Sequence, residues 1–156
     1  MTGKVHEKKA KTTQFYHARD NAIASIGKVI KFQENYIRQT QMAQQLTTFW
    51  INTLPITHDV EEAQLQYQYL AEFLLKDPEF ILGGDPAASA QQIAKIFGEA
   101  FQEKYQTPEN KMLIAESVRY MIQAPAPVGP AFQAACQNVL TQEHRTNIES
   151  AYNFKG

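Results

Sequence analysis

The stretch WINTLPITHDVEEA, residues 50–63, describes the end of one helix, a polar turn and the start of another. Leu46, Trp50 and Leu54 recur every four residues, so they share one face of the first helix. Pro55 ends that helix because proline has no N–H to donate and its ring clashes with the preceding turn. The stretch therefore predicts a sharp helix boundary beside the single tryptophan of the chain.

The second half of the stretch starts the next helix. Asp59 can accept from the free amides of the new first turn, and Glu62, three residues later, can complete a capping box. The apolar pattern then resumes at Tyr67, Leu70 and Leu74. Two amphipathic helices joined by about five residues predict an αα-hairpin.

The rest of the chain repeats this pattern, and no segment alternates long enough to indicate a sheet. The sequence predicts an all-α fold with residues 1–14 as a basic flexible arm or loop remnant and 15–156 as one domain. The predicted helices are about seven, at residues 16–33, 40–54, 60–76, 87–105, 108–123, 130–139 and 142–153.

Local signals refine these boundaries. Gly27 interrupts the apolar stripe of the first helix, which predicts the close approach of another helix. Residues 77–84 are predicted to be a loop whose apolar residues pack against the helices, and residues 124–130 a proline-rich linker. Asp85-Pro86 and Thr107-Pro108 are typical helix starts, since proline is favoured at the first helical position.

Corresponding helices begin near Gln41 and Ala87, about 46 residues apart. That spacing falls in the window of about 40–47 residues that is typical of HEAT repeats. The sequence therefore predicts a HEAT-type α-solenoid segment, with a generic helical bundle as the alternative.

Composition restricts the class of function. The chain has 156 residues, 44% of them hydrophobic and 20% charged, and a net charge of −1, which argues against a general nucleic-acid binder. Cys136 is the single cysteine, which is typical of a reducing compartment. No apolar run reaches the length of about 18 residues that a membrane span needs.

The first residues carry a local excess of positive charge. Lys4, Lys8, Lys9 and Lys11 stand against Glu7. The run has two interpretations, a nuclear-localisation-like or nucleic-acid-binding patch and an ordinary solvated tail.

No catalytic or metal-binding pattern is present. His6, His17, His58 and His144 are scattered, without the spacing of metal ligands. Cys136 lies on an apolar helix face and is interpreted as packing, not as a nucleophile. We expect neither enzyme activity nor a cofactor.

The residues resemble one known family. The runs DNAIASIGKVIKF (20–32), WINTLPITHDVEEA (50–63), ILGG (81–84) and LTQE (140–143), followed by Ile148-Glu149, are similar to the C-terminal end of karyopherin-β nuclear import receptors. The similarity is to the importin beta-3 class, also called Ran-binding protein 5. It runs in the same order over about residues 21–153.

That resemblance implies a HEAT-repeat superhelix that binds protein cargo with basic segments and moves between cytoplasm and nucleus. The family's full-length receptors also bind the Ran GTPase and nucleoporins. Because the Ran-binding repeats are not among these 156 residues, we do not expect a complete Ran-regulated receptor. The alternatives are a free-standing helical-repeat adaptor or scaffold without a transport role and, less favoured, a small helical-bundle enzyme.

Two groups of residues carry these hypotheses. The cargo-binding candidates are polar positions on the helices that the resemblance places inside the superhelix: Glu61, Gln68, Glu72 and Glu116. Ordinary solvating carboxylates are the alternative interpretation. The structural candidates shape the hairpin: Trp50, Leu54, Pro55 and Asp59.

Overall fold

The chain folds into helices along the whole part that the structure describes. A computed structural model describes residues 2–156, with side chains from residue 11 onward. Over this part it has nine α-helices, a 3-10 turn at Glu103–Tyr105 and no strand, which confirms the all-α prediction. The α-helices are α1 Thr2–Phe32, α2 Glu34–Arg38, α3 Ala43–Thr53, α4 Val60–Lys76, α5 Pro78–Leu82, α6 Pro86–Ala100, α7 Pro108–Gln123, α8 Val128–Asn138 and α9 Gln142–Asn153.

The first helix is longer than predicted. It begins at Thr2, whereas the sequence predicted a flexible arm over residues 1–14 and a helix from about 16. Residues 2–15 contain no proline and many good helix formers, so nothing in them stops the helix. The side chains of Lys4, Lys8 and Lys9 lie outside the described residues, and Lys11 is exposed.

Two short helices replace predicted irregular segments. α2 was not predicted, and the loop prediction for residues 77–84 is wrong because Pro78 starts α5, where its missing N–H costs nothing. The expectation that the apolar residues of this segment pack inward is confirmed, since Ile81 and Leu82 are buried.

The remaining differences concern helix ends. The predicted helix end at residue 105 is wrong, because α6 ends at Ala100 and the 3-10 turn at Glu103–Tyr105 is a separate element. The linker prediction for residues 124–130 is wrong in its last part, since α8 begins at Val128 and Pro130 lies in its first turn. The predicted caps are confirmed: Asp85 accepts from the N–H of Ala88 at 3.1 Å and Thr107 from that of Asn110 at 3.2 Å.

The longer helices pack in two rows. In the first row α1 contacts α4, α4 contacts α7, and α7 contacts α9. In the second row α3 contacts α6, and α6 contacts α8. The buried apolar side chains form one core with contributions from all nine α-helices.

Two hydrogen bonds between α4 and α7, neighbours in the first row, share one sequence separation. Asn110 Nδ2 in α7 donates to the carbonyl oxygen of Gln64 in α4 at 2.8 Å, across 46 residues. Ser117 Oγ, two turns further along α7, donates to the carbonyl oxygen of Ala71 at 3.4 Å, again across 46 residues. The two helices therefore lie side by side in a constant register.

Candidate functional site

Trp50 is completely buried where α1, α3 and α4 meet. Its indole Nε1 donates to Oε1 of Gln66 in α4 at 2.7 Å, and Nε2 of Gln66 donates to the carbonyl oxygen of Ala24 in α1 at 3.2 Å. The ring of Phe73 packs edge-on at 6.3 Å between centroids. Two hydrogen bonds thus join three helices inside the core, where leaving a polar group unpaired costs about 1–3 kcal/mol.

Gly27 makes room for this junction. A Cβ at position 27 would overlap the side-chain oxygen of Gln66 and lie 2.6 Å from Nε1 of Trp50. Glycine inside a helix costs up to about 1 kcal/mol relative to alanine, and here it lets α1 approach the Trp50–Gln66 pair. The close approach predicted at Gly27 is confirmed.

A buried aspartate on α1 fixes the hairpin turn. Oδ2 of Asp20 accepts from the backbone N–H groups of His58 and Asp59, both at 2.9 Å, and the residue is only 3% exposed. Asp59 caps α4 as predicted, with Oδ1 accepting from the N–H of Glu62 at 3.1 Å. The predicted capping box is wrong because Asp20 takes the N–H of Asp59, while the Glu62 carboxylate binds Lys28 at 2.9 Å.

Asp20→Ala is expected to lower the free energy of unfolding by about 2–3 kcal/mol, since it removes two charge-assisted hydrogen bonds and leaves two N–H groups unpaired. Urea denaturation followed by circular dichroism measures the change. Asn21→Ala is the matched control, because Asn21 is exposed on the same helix turn and should change stability by no more than about 0.5 kcal/mol. Equal losses in the two variants would contradict the role of Asp20.

Side chains of α4 and α6 also donate hydrogen bonds to the turn between α3 and α4. Leu54 is buried, and its carbonyl oxygen accepts from Nε2 of Gln92 in α6 at 3.1 Å. Pro55 follows it directly and ends α3 as predicted. The hydroxyl of Tyr67 donates to the carbonyl oxygen of Ile56 at 2.6 Å, and burial raises the pKa of Tyr67 well above its ordinary value. Tyr67 therefore keeps the proton that this bond requires.

The four cargo-binding candidates lie on α4 and α7, which are neighbours in the first row. Glu61 and Glu116 are exposed, and neither has an ion-pair partner among residues 11–156. Gln68 Nε2 donates to Oε1 of Glu72 at 2.7 Å, so the structure brings these two together. Glu61 and Glu116 make no hydrogen bond with that pair.

Two lysines of α1, which are not among the residues predicted from the sequence, change the charge of this surface. Lys31 Nζ lies 2.6 Å from Oε2 of Glu72 and 5.1 Å from the ring centroid of Phe73, and Lys28 pairs with Glu62. Burial alone would raise the pKa of Glu72, but the bonds from Lys31 and Gln68 outweigh it and hold that pKa below its ordinary value. Glu72 is therefore ionised and already partly neutralised.

These lysines could have been found from their spacing. Lys28 and Lys31 are three residues apart, so they fall on one side of α1, where they can meet carboxylates of a neighbouring helix. Their carboxylate partners are 34 and 41 residues away along the chain, so no local sequence pattern could predict which carboxylates they bind. The unpaired carboxylates of the candidate surface are thus Glu61 and Glu116.

Comparison with protein-family models and with solved structures gives no match. The resemblance to nuclear import receptors therefore stays a prediction that rests on the quoted motifs and their order.

A polar cluster that was not predicted from the sequence joins α6, α9 and the 3-10 turn. Oε2 of Glu99 lies 2.9 Å from Nε2 of His144, and its Oε1 accepts from the hydroxyl of Tyr105 at 2.9 Å. Asn147 Nδ2 donates to the carbonyl oxygen of Gly98 at 2.7 Å beside it. Burial and the bond to Glu99 raise the pKa of Tyr105 well above its ordinary value. These contacts dock the first turns of α9 onto α6.

The remaining side chains that could act as nucleophiles or metal ligands have the following environments. Burial raises the pKa of Cys136 to about 11, so its thiol is protonated near neutral pH. His58 is exposed in the turn and stacks on Tyr16 at 4.4 Å between ring centroids. Among the described residues, no group of three or more His, Cys, Asp or Glu side chains is arranged to hold a metal ion. No helix in that part of the chain is long and apolar enough to cross a membrane.

Proposed function

We propose that this chain is a HEAT-type repeat segment of a nuclear import receptor similar to the karyopherin-β family, and that it binds basic segments of protein cargo. The observation that carries the proposal is the contact between α4 and α7 at a sequence separation of 46, repeated two turns apart. HEAT repeats have periods of about 40–47 residues and stack so that each contacts its neighbours. The two rows of helices agree with that stacking.

The second support is the position of the motifs that carry the resemblance. The runs 20–32 and 50–63 meet at one junction, where Gly27 approaches Trp50 and Asp20 binds the turn. Two motifs that are read separately in the sequence thus form a single structural unit.

Cargo would bind to the outward side of α4 and α7. Glu61 and Glu116 are exposed carboxylates without a partner in residues 11–156, so they can pair with lysine or arginine side chains of a cargo segment. Exposed pairs of this kind contribute about 0–1 kcal/mol each and are screened by salt. Binding of an isolated basic peptide should therefore be weak and strongly dependent on ionic strength.

Glu72 and Gln68 would contribute differently. A cargo cation that reaches Glu72 must compete with Lys31, whose ion pair links α1 to α4. A charge reversal at Glu72 would disturb both cargo binding and the ion pair with Lys31, so its effect on affinity could not be assigned to one of them. Glu61 and Glu116 are the cleaner positions for a test.

The proposal is tested by fluorescence anisotropy with a labelled peptide rich in lysine and arginine. We expect binding at low salt and a loss of at least about fivefold in affinity when Glu61→Lys and Glu116→Lys are combined, from two lost pairs and new repulsion. Glu79→Lys combined with Glu103→Lys, a double charge reversal of the same size at exposed positions of α5 and the 3-10 turn, is the control. Equal weakening by the control, or no binding by the unmodified chain, would contradict the proposal.

A further inference from the structure

The ammonium group of Lys31 is surrounded by acidic and aromatic side chains of α4. Its Nζ lies 2.6 Å from Oε2 of Glu72. The same nitrogen lies 5.1 Å from the ring centroid of Phe73 and 5.8 Å from that of Tyr69. A carboxylate together with aromatic rings is an environment that favours an organic cation. We call the four α4 residues around this nitrogen the ammonium subsite: Gln68, Tyr69, Glu72 and Phe73.

The packing of α4 holds the ammonium subsite in place. Phe73 is 2% exposed and Tyr69 is 7% exposed, so the surrounding core fixes both rings. Gln68 Nε2 donates to Oε1 of Glu72 at 2.7 Å and thereby orients the carboxylate. Because these groups are already ordered, a cation that binds among them pays little additional conformational entropy.

The occupant of the subsite can exchange. The side chains of Lys31 and Glu72 are 28% and 30% exposed, so their ion pair lies at the surface although the rings beside it are buried. An ion pair with this exposure contributes little net free energy, because water solvates both separated charges well. An ammonium group from another chain can therefore take the place of Lys31.

We propose that the ammonium subsite binds a lysine of a basic partner segment, and that Lys31 occupies the subsite until this partner displaces it. The inference rests on the proposed function, because Gln68 and Glu72 belong to the proposed cargo surface. Lys31 is then an intramolecular competitor of the cargo. The measured affinity for cargo is lower than the intrinsic affinity by the fraction of chains in which the subsite is free.

The geometry of the subsite selects lysine over arginine. A guanidinium pairs best with a carboxylate through two parallel hydrogen bonds, which use both carboxylate oxygens. Oε1 of Glu72 already accepts from Gln68, so Oε2 is the oxygen that a ligand can use. A compact ammonium needs one such oxygen and lies beside the aromatic rings, as the ammonium of Lys31 does.

The second ion pair between α1 and α4 provides a matched control. Lys28 Nζ lies 2.9 Å from Oε1 of Glu62, so this pair joins the same two helices. Among residues 11–156, no aromatic ring lies under the ammonium of Lys28. Lys28→Ala therefore removes the same charge and a similar ion pair without emptying the ammonium subsite.

Peptide binding by the full chain tests the competition. We expect Lys31→Ala to bind a lysine-rich peptide at least about threefold more tightly than the unmodified chain, measured by fluorescence anisotropy at low salt. Lys31→Gln removes the charge but keeps a polar side chain, and it should also raise the affinity. Lys28→Ala should change the affinity less than about twofold. Equal gains in Lys28→Ala and Lys31→Ala, or no gain in either Lys31 variant, would overturn the proposal.

A second peptide tests the selection of lysine. An arginine-rich peptide of the same length and charge should gain less affinity from Lys31→Ala than the lysine-rich peptide does. Gln68→Ala frees Oε1 of Glu72 for a second hydrogen bond, so adding this change should bring the gain of the arginine peptide up to that of the lysine peptide. Equal gains for the two peptides while Gln68 is present would overturn the assignment to lysine.

A small cation tests the subsite without any cargo. n-Butylammonium supplies the ammonium and the stem that Lys31→Ala removes, so it should raise the melting temperature of this variant above that in sodium chloride at equal ionic strength. The unmodified chain and the double variant Lys31→Ala/Glu72→Gln should show no such rise. Failure of every variant to bind peptide would contradict the proposed function, whereas no response of Lys31→Ala to n-butylammonium would overturn the ammonium subsite.

Discussion

Trp50→Ala is expected to lower the free energy of unfolding by about 3–5 kcal/mol, because it removes a fully buried indole that the surrounding helices cannot replace. Gln66 also loses the donor to its side-chain oxygen, and its remaining bond to Ala24 no longer links α3. Trp50 is the single tryptophan, so unfolding must be followed by far-ultraviolet circular dichroism instead of intrinsic fluorescence. Urea denaturation gives the change from the shift of the midpoint at constant slope.

Two further variants separate the contributions to this loss. Trp50→Phe keeps most of the apolar volume and leaves the oxygen of Gln66 unpaired, so about 1–3 kcal/mol of the loss should remain. Phe49→Ala, one residue earlier in α3, removes a side chain that is 54% exposed and should change stability by no more than about 0.5 kcal/mol. A Trp50→Ala effect as small as that of Phe49→Ala would show that the three-helix junction does not hold the fold.

Gly27→Ala is expected to destabilise the protein by about 2–4 kcal/mol, through overpacking and a broken buried hydrogen bond, although alanine is the better helix former. The added methyl group would overlap the Gln66 side-chain oxygen and crowd Nε1 of Trp50, so that pair must separate or α1 must move away. Thermal and urea denaturation of the variant measure the loss. The sign is opposite to the one that helix propensity alone predicts.

A double-mutant cycle tests whether the clash between positions 27 and 66 causes the loss of stability in Gly27→Ala. Gln66→Ala removes the atom that the new methyl group meets, so the double variant should lose at least about 1 kcal/mol less than the sum of the two single variants. Ala22→Gly, the reverse exchange at an exposed position of α1, should cost about 0.5–1 kcal/mol from propensity alone. Additive losses in the cycle would contradict a steric conflict between positions 27 and 66.

The features that could be predicted from the sequence are those that a few neighbouring residues determine. Pro55 ends α3, Asp59 caps α4, and Asp85 and Thr107 cap α6 and α7, because each acts on amides or carbonyls of its own turn. The close approach at Gly27 was also predictable, since a glycine within an apolar stripe has no local benefit. Local physical chemistry therefore predicts the hairpin and most helix boundaries.

The features that sequence could not predict depend on distant partners. Asp20 reaches the hairpin turn across 38 residues, and this contact makes the predicted capping box unnecessary. Lys31 reaches Glu72 across 41 residues, so half of the predicted cargo surface is engaged within the protein. The order of the helices in rows would have to be known before either pair could be proposed.

The charge of the candidate surface follows from these pairs. α4 alone contains three carboxylates against one lysine, but Lys28 and Lys31 of α1 neutralise two of these carboxylates. The proposed cargo recognition by this surface would therefore depend on Glu61, on Glu116 and on exposed groups between them, with a modest free energy from each contact. Longer basic segments that engage several positions at once should bind more tightly than short ones.

The proposed cargo surface is the outward side of α4 and α7, which should bind basic protein segments. Chemical-shift mapping of the ¹⁵N-labelled chain during titration with a lysine- and arginine-rich peptide measures that binding residue by residue. We predict saturable shifts concentrated at the amides of Glu61, Gln68, Glu72 and Glu116, and reduced shifts at higher salt. Shifts confined to α6 and α8 of the second row, or none at millimolar peptide, would contradict it.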